Sequence, residues 1–128
     1  MTYGVNLIFG WIWILLGFLT GAMLGMGFEK EGWLGGYSSL RRRMYRLGHI
    51  SLFMLGLLNL LFAFTAHTLG REGPALGLTS ILFMTGAATM PICCGIMAHQ
   101  PRLKMIFAVP VVSLITGAGA LLFALLRP

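Results

Sequence analysis

Three histidines are the side chains of this sequence best suited to hold a metal cofactor: His49, His67 and His99. About five turns of an α-helix separate His49 from His67. One helix would therefore place them on the same face but about 27 Å apart, too far for a single haem. His99 ends a later apolar run, at about the membrane depth of His49. His49 and His99 are thus the one pair that two helices could bring to a single b-type haem.

Small residues accompany these histidines. Gly56 and Ala63 fall within about 40° of the face that carries His49, and a helix beside a flat porphyrin needs such a thin surface. We therefore expect Gly56 to lie toward the cofactor. The histidines also fit two other interpretations: polar side chains at helix ends, or contacts to a quinone or a metal. His67 lacks a histidine or methionine partner at its depth, so we expect it to hydrogen-bond at the membrane interface.

A second candidate site consists of Met90, Cys93, Cys94 and Met97. Their spacing places the four sulfur atoms on one helix face, and thiolates and thioethers are ligands that Cu(I) prefers. The competing interpretation is packing, because methionine and buried cysteine often serve as apolar filling. A disulfide between adjacent cysteines in a helix would be badly strained, so we expect free thiols.

Carboxylates are scarce in this chain. Glu29, Glu31 and Glu72 are the only acidic side chains, and all three lie between the apolar runs. A proton-coupled exporter needs a carboxylate inside the membrane, and acid–base catalysis commonly uses paired carboxylates. The sequence therefore argues against a stand-alone proton-driven antiporter, and we expect no enzymatic activity.

The elements that must position these side chains are four long runs without a charged residue. The 128 residues are 58% hydrophobic and 9% charged, unlike the composition of a soluble domain. Each run exceeds the roughly 20 residues that a helix needs to cross a hydrocarbon core of about 30 Å. We predict an all-α integral membrane protein, a single domain of four transmembrane helices with antiparallel neighbours. The predicted helices cover residues 5–28, 47–69, 74–98 and 103–126.

The predicted loop 29–46 carries five of the nine cations, including Arg41, Arg42, Arg43 and Arg46. The positive-inside rule places this loop in the cytoplasm and both termini outside. The arginines could also bind anionic lipid or an acidic partner surface. Because five of the nine cations lie in one short loop, we expect no nucleic-acid partner. Ser38 or Ser39 could cap a helix that starts at the membrane surface and continues into the second spanning helix.

Several apolar positions carry packing signals. Gly17, Gly21 and Gly25 recur at every fourth position, and small residues of this kind let another helix approach closely in lipid. We predict that they form a packing surface against a helix of this chain or of a partner. Asn59 lies near the middle of the membrane, where we expect it to hydrogen-bond a neighbouring helix.

Two prolines mark one half of the molecule as less regular. Pro91 and Pro110 both fall in the cytoplasmic halves of their predicted helices, where each removes a backbone hydrogen bond and should kink the helix. His49, His99 and the cysteines lie at similar depth. We therefore expect any cofactor or cavity in this half.

These features predict a small non-catalytic membrane subunit of a larger assembly, with an electron-transfer or energy-converting complex as the expected host. Its partners would be the bilayer, other membrane subunits or a second copy of itself, in the cytoplasmic membrane of a bacterium. The first alternative is a b-type haem carrier using His49 and His99. The second is a protein that handles Cu(I) through the methionines and cysteines of the third helix.

Overall fold

A computed structural model describes residues 3–70 and 72–126 of the chain. Every long element in it is an α-helix, and four helices are long and apolar enough to cross a membrane, which confirms the predicted all-α membrane fold. Arg71 and Arg127 lie outside the described residues. The helices are α1 (Tyr3–Gly25), α2 (Leu40–Leu69), α3 (Pro74–His99) and α4 (Ala108–Leu126).

The second helix begins earlier than the sequence predicted, at Leu40 rather than Leu47. The side chain of Ser39 accepts a hydrogen bond from the backbone N–H of Arg42 at 3.1 Å, which caps the helix as expected for one of the two serines. The other end stops at Gly70, which adopts the left-handed conformation with φ of 59°. The arginines therefore stand on the first turns of α2 and not in a loop.

The fourth helix begins later than predicted. Residues Pro101–Phe107 form a 3₁₀ segment, and α4 starts at Ala108. Pro110 thus lies in the first turn of α4, where its missing N–H costs no intrahelical bond. Pro110 therefore lies at the start of α4 and not in its interior as predicted, whereas Pro91 does lie inside α3.

Consecutive helices pack side by side in antiparallel pairs. Asn6 near the start of α1 bonds Asn59 near the end of α2, and Gly21 near the end of α1 contacts His49 near the start of α2. The helices α1, α2 and α3 touch one another and form a three-helix unit. Within the described ranges, α4 runs beside α3 and the 3₁₀ segment, and its backbone approaches neither α1 nor α2.

The closest approach in the three-helix unit joins Gly10 of α1 to Gly56 of α2. A Cβ atom on Gly10 would stand 2.8 Å from the carbonyl oxygen of Gly56, and one on Gly56 would stand 2.9 Å from the oxygen of Gly10. Only glycine allows backbones to meet at this distance. We call the end of the molecule where α1 ends and α2 begins the basic end, and the opposite end the terminal end.

Candidate functional site

A cavity of about 260 Å³ opens at the basic end between the three packed helices. Helix α2 forms its floor with Gly48, His49 and Leu52, while α1 and α3 form its walls. The lining is mostly apolar. We call it the basic-end cavity, and it lies in the half of the molecule where the sequence predicted any cavity to be. Its remaining lining residues are Thr20, Met23 and Leu24 of α1, Met44 and Tyr45 of α2, and Pro91, Cys94 and Gly95 of α3.

The cavity begins beyond the last hydrogen bond that joins α1 to α3. Pro91 has no N–H, so the carbonyl of Ala87 one turn earlier loses its helical donor. The indole Nε1–H of Trp13 on α1 donates to that carbonyl oxygen at 2.9 Å. Asn6 and Ser80 form a second tie nearer the terminal end. Beyond Trp13, toward the basic end, the two walls enclose the cavity instead of meeting.

The imidazole of His49 is held in one tautomer. Its Nδ1 lies 3.1 Å from the hydroxyl oxygen of Thr20. That hydroxyl has one proton, which it donates to the carbonyl oxygen of Leu16 at 2.8 Å. Thr20 therefore accepts from His49, which places the ring proton on Nδ1.

The other ring nitrogen of His49 is consequently a bare acceptor. Nε2 has no hydrogen-bond partner within the described part of the chain, and it is not among the enclosed polar atoms. His49 lines the basic-end cavity, and its Nε2 lies 3.3 Å from the Cβ position of Gly21, at the α1 side of that cavity. An Nδ1–H fixed by an oxygen acceptor and a free Nε2 is the arrangement of a histidine ready to bind a metal or accept a proton donor.

His99 lies in a different environment. Its Nε2 is 2.8 Å from the hydroxyl of Tyr45, its side chain is exposed, and it does not line the basic-end cavity. The structure therefore turns His49 toward α1 and holds His99 against Tyr45. Joint ligation of one iron would require His99 to leave Tyr45. His67, predicted to lie at the interface, is exposed.

The thin surface around Gly56 is filled by protein. A Cβ on Gly56 would meet Gly10, Trp13 and Ile14 of α1 within about 3 Å, and Ala63 is also buried. The expectation that Gly56 lies toward a cofactor is wrong, because the groove that the glycine creates admits α1 itself.

The two cysteines are free thiols that face different neighbours. The Sγ of Cys93 donates to the carbonyl oxygen of Ile106 at 3.4 Å. Cys94 packs against Gly48 of α2 and lines the basic-end cavity. Met90 and Met97 are half-buried. No cluster of three or more histidine, cysteine or acidic side chains occurs among the described residues.

The four arginines do not form one uniform surface. Arg41 and Arg43 are exposed, whereas Arg42 is only 3% exposed. Its guanidinium carbon lies 5.2 Å from the ring centre of Phe28, 5.7 Å from that of Trp33 and 5.0 Å from that of Tyr37. Its Nε has no hydrogen-bond partner among the described atoms. Arg46 lies over Tyr37 at 5.6 Å.

Arg42 thus pins the connection between α1 and α2 onto the start of α2. Rings around a cation are attractive because their faces are negative. Sequence reasoning missed this cage, although the aromatic residues flanking the arginine run were a visible signal.

The glycine repeat of α1 packs within the chain. A Cβ on Gly17 would stand 2.9 Å from the ring of Phe53, and one on Gly21 would stand 2.7 Å from the ring of His49. Gly25 differs, since no described atom lies within 4 Å of its Cβ position. The first two glycines therefore give α2 room to approach, and Gly21 lets the imidazole of His49 lie against α1.

Asn59 belongs to a buried polar cluster near the terminal end. Its Oδ1 accepts from Nδ2 of Asn6 at 2.7 Å, and Oδ1 of Asn6 accepts from the hydroxyl of Ser80 at 2.5 Å. The side-chain N–H of Asn59, on Nδ2, donates to the backbone oxygen of Leu55 at 2.8 Å. The sequence identified Asn59 and overlooked Asn6, which lies close to the start of its apolar run.

No protein-family model, no curated protein and no solved structure matches this chain.

Proposed function

We propose that this chain is a small integral membrane subunit that assembles with other membrane helices. The observation that supports this proposal is the position of α4. In the described part of the chain, α4 runs beside α3 and its 3₁₀ extension and beside no other helix. In the apolar span Pro101–Leu126 that contains α4, 11% of the most apolar window is buried, as in α1, against 39% in α2. One side of α4 is therefore free for a partner.

The free side of α4 has the composition of a helix interface. Thr116 is exposed, and no described atom lies within 4 Å of a Cβ on Gly119. Small and hydroxyl side chains are enriched where membrane helices meet, because they allow close approach and hydrogen bonding. Thr116 and Gly119, one turn apart, form such a surface on the same helix face.

The experiment is to extract the protein from its own membrane in mild detergent and measure the mass of the particle. We expect a species larger than the 14.0 kDa chain with its detergent. Gly119→Leu should reduce the larger species, since a bulky side chain separates packed helices. Ile115→Leu is the matched control, because it keeps the side-chain volume at an exposed position of the same helix, and it should assemble normally. A single chain per particle in the wild-type protein would refute the proposal.

The host that we propose is an electron-transfer or energy-converting assembly. His49, with an available Nε2 beside an apolar cavity, provides the chemistry that such membrane complexes use for cofactors and quinones. Purification of the native particle followed by identification of its partners tests this host. Partners without redox cofactors would reject it.

We further propose that the basic end faces the cytoplasm and that both termini lie outside. Lys30, Arg102 and Lys104 add to the arginines of α2 at this end, as the positive-inside rule requires. A reporter that is active only outside the cytoplasm, fused after residue 128, should be active. A reporter active only inside the cytoplasm should be silent at the same position, and the opposite result would reverse the orientation.

A second candidate function is haem binding, favoured by the bare Nε2 of His49. The basic-end cavity encloses less space than a four-pyrrole macrocycle fills, and His99 is held by Tyr45. Haem would therefore need α1 and α3 to part and His99 to turn. The absorption spectrum of the purified protein decides this: a Soret band that His49→Ala removes would support haem, and a colourless protein would reject it.

A further inference from the structure

We infer that the basic-end cavity binds the head of a membrane-soluble molecule that carries a hydroxyl group on a single ring, the chemistry of a quinol or an alkylphenol. The hydroxyl would donate a hydrogen bond to Nε2 of His49. This inference goes beyond assembly, because the cavity is formed entirely by α1, α2 and α3 of one chain.

The size of the cavity selects a single ring. An apolar cavity of about 150 Å³ is sufficient for benzene. The basic-end cavity, at about 260 Å³, has room for one substituted ring. Leu24, Leu52 and Met44 supply apolar contact surface, as expected for a site that takes an aromatic head from lipid.

The hydrogen bonds of the cavity wall select a donor. The hydroxyl of Thr20 donates its one proton to the carbonyl oxygen of Leu16 and accepts a hydrogen bond from Nδ1–H of His49. The hydroxyl of Tyr45 is engaged with His99. Apart from the weakly donating thiol of Cys94, which also lines the cavity, the group that remains open is the acceptor Nε2. A ring hydroxyl satisfies this acceptor, whereas a quinone carbonyl or an ether offers it no proton. The site therefore favours the reduced, hydroxylated form of a redox ring.

The position of the cavity suits an amphipathic ring with an apolar tail. His49 lies two turns inside the caged Arg42, near the boundary between headgroups and hydrocarbon. Met23 on the α1 wall is 66% exposed, so this edge of the cavity meets the surroundings of the bundle. A ligand can enter there from the lipid while its tail stays in the bilayer.

Binding is measured on the purified chain in nanodiscs, by equilibrium partition of a short-chain benzoquinol kept reduced without oxygen. Its dimethyl ether, which has the same ring and no donor, is the matched ligand control. We expect the quinol to bind at least tenfold more tightly than the ether. A phenol with one hydroxyl should bind like the quinol, since Nε2 of His49 can accept one hydrogen bond.

Three variants locate the site. His49→Phe keeps a ring and removes the acceptor, so quinol and ether should become equal. Gly95→Leu fills the cavity from a position where no described atom lies within 4 Å of the Cβ, and should abolish binding even if His49→Phe fails to fold. Cys93→Ala lies outside the lining and should bind as wild type does.

Equal binding of quinol and ether by the wild-type protein would overturn the inference, as would unaltered binding by Gly95→Leu or no binding of the quinol at all. Because these measurements use one purified chain, they are separate from the test of assembly. Quinol binding by the purified chain would support the cavity whatever the mass of the native particle, and a native particle of a single chain would refute the subunit role whatever the cavity binds.

Discussion

The same three helices form two halves with opposite properties. Near the terminal end, Asn6, Asn59 and Ser80 satisfy one another in a fully buried cluster, which we call the closed half. Near the basic end, α1 and α3 separate around the basic-end cavity, and His49 keeps one nitrogen unpaired. We call this the open half.

The two halves show the difference between polar side chains that stabilise the fold and polar side chains that are available for binding. A buried polar group without a partner costs about 1–3 kcal/mol, so a polar side chain in a membrane core must be satisfied or have a use. The closed half satisfies its amides within the protein. The open half leaves Nε2 of His49 without a partner on a residue that lines a cavity, and this unpaired atom, more than the presence of a histidine, marks the candidate site.

The largest expected effect comes from breaking the closed half at its centre with Asn6→Leu. The substitution leaves the amide oxygen of Asn59 without its donor and the hydroxyl of Ser80 without its acceptor. At about 1–3 kcal/mol for each of these two buried groups, the free energy of unfolding should fall by about 2–6 kcal/mol. Unfolding in mixed detergent, followed by circular dichroism, measures it.

The triple variant Asn6→Leu, Asn59→Leu, Ser80→Ala is the control. Replacing all partners by apolar groups removes the unsatisfied atoms, so it should recover part of the loss. A triple variant less stable than Asn6→Leu would show that the bonds themselves, and not their unsatisfied remnants, determine the cost.

Separating the backbones of α1 and α2 is the next most damaging change. Gly56→Leu forces a side chain into the space that the backbone of Gly10 occupies, at a cost of about 1–3 kcal/mol. Gly25→Leu adds the same side chain where the Cβ is free and should change stability by less than about 0.5 kcal/mol. Equal losses in the two variants would contradict the packing that we describe.

The boundary between the halves can be moved with Trp13→Phe. Without the indole N–H, the carbonyl of Ala87 is unsatisfied, and we expect a loss of about 1 kcal/mol. Pro91→Ala restores a backbone donor to that carbonyl. The cost of Trp13→Phe should therefore nearly disappear in the Pro91→Ala background, which a double-mutant cycle of thermal unfolding measures. The same cost in both backgrounds would show that proline and tryptophan are not coupled.

The smallest effect should come from the edge of the open half. Arg42→Gln removes the cation from its three rings, at about 0.5–1 kcal/mol, and loosens the connection that it pins. Trypsin should then cut after the exposed Lys30 up to about fivefold faster, since 1.4 kcal/mol corresponds to a factor of ten. Arg41→Gln, on an exposed side chain, should leave the rate unchanged. Identical rates in the two variants would deny the cage a structural role.

The sequence was sufficient for the helices and insufficient for the site. Uncharged runs determine which segments can span a membrane, so the four helices were predictable. The start of α2 was not, because Arg41 and Arg42 can lie in a loop or on a helix that extends into the headgroups. The tautomer of His49 depends on Thr20, which lies on another helix. No local pattern specifies that pairing, just as none pairs Asn6 with Ser80.

The buried cluster of Asn6 has a consequence for biosynthesis. Its partners Asn59 and Ser80 follow it by 53 and 74 residues. At about 5–20 residues per second, a ribosome needs about 4–15 s to reach Ser80 after Asn6. For the first 53 residues of that interval the amide of Asn6 has neither final partner, and until Ser80 is made it lacks one of them, so it must stay near water or near the insertion machinery. Both partners of Asn6 are present only once the third helix has been inserted. A stalled chain that ends before Ser80 should therefore still expose Asn6.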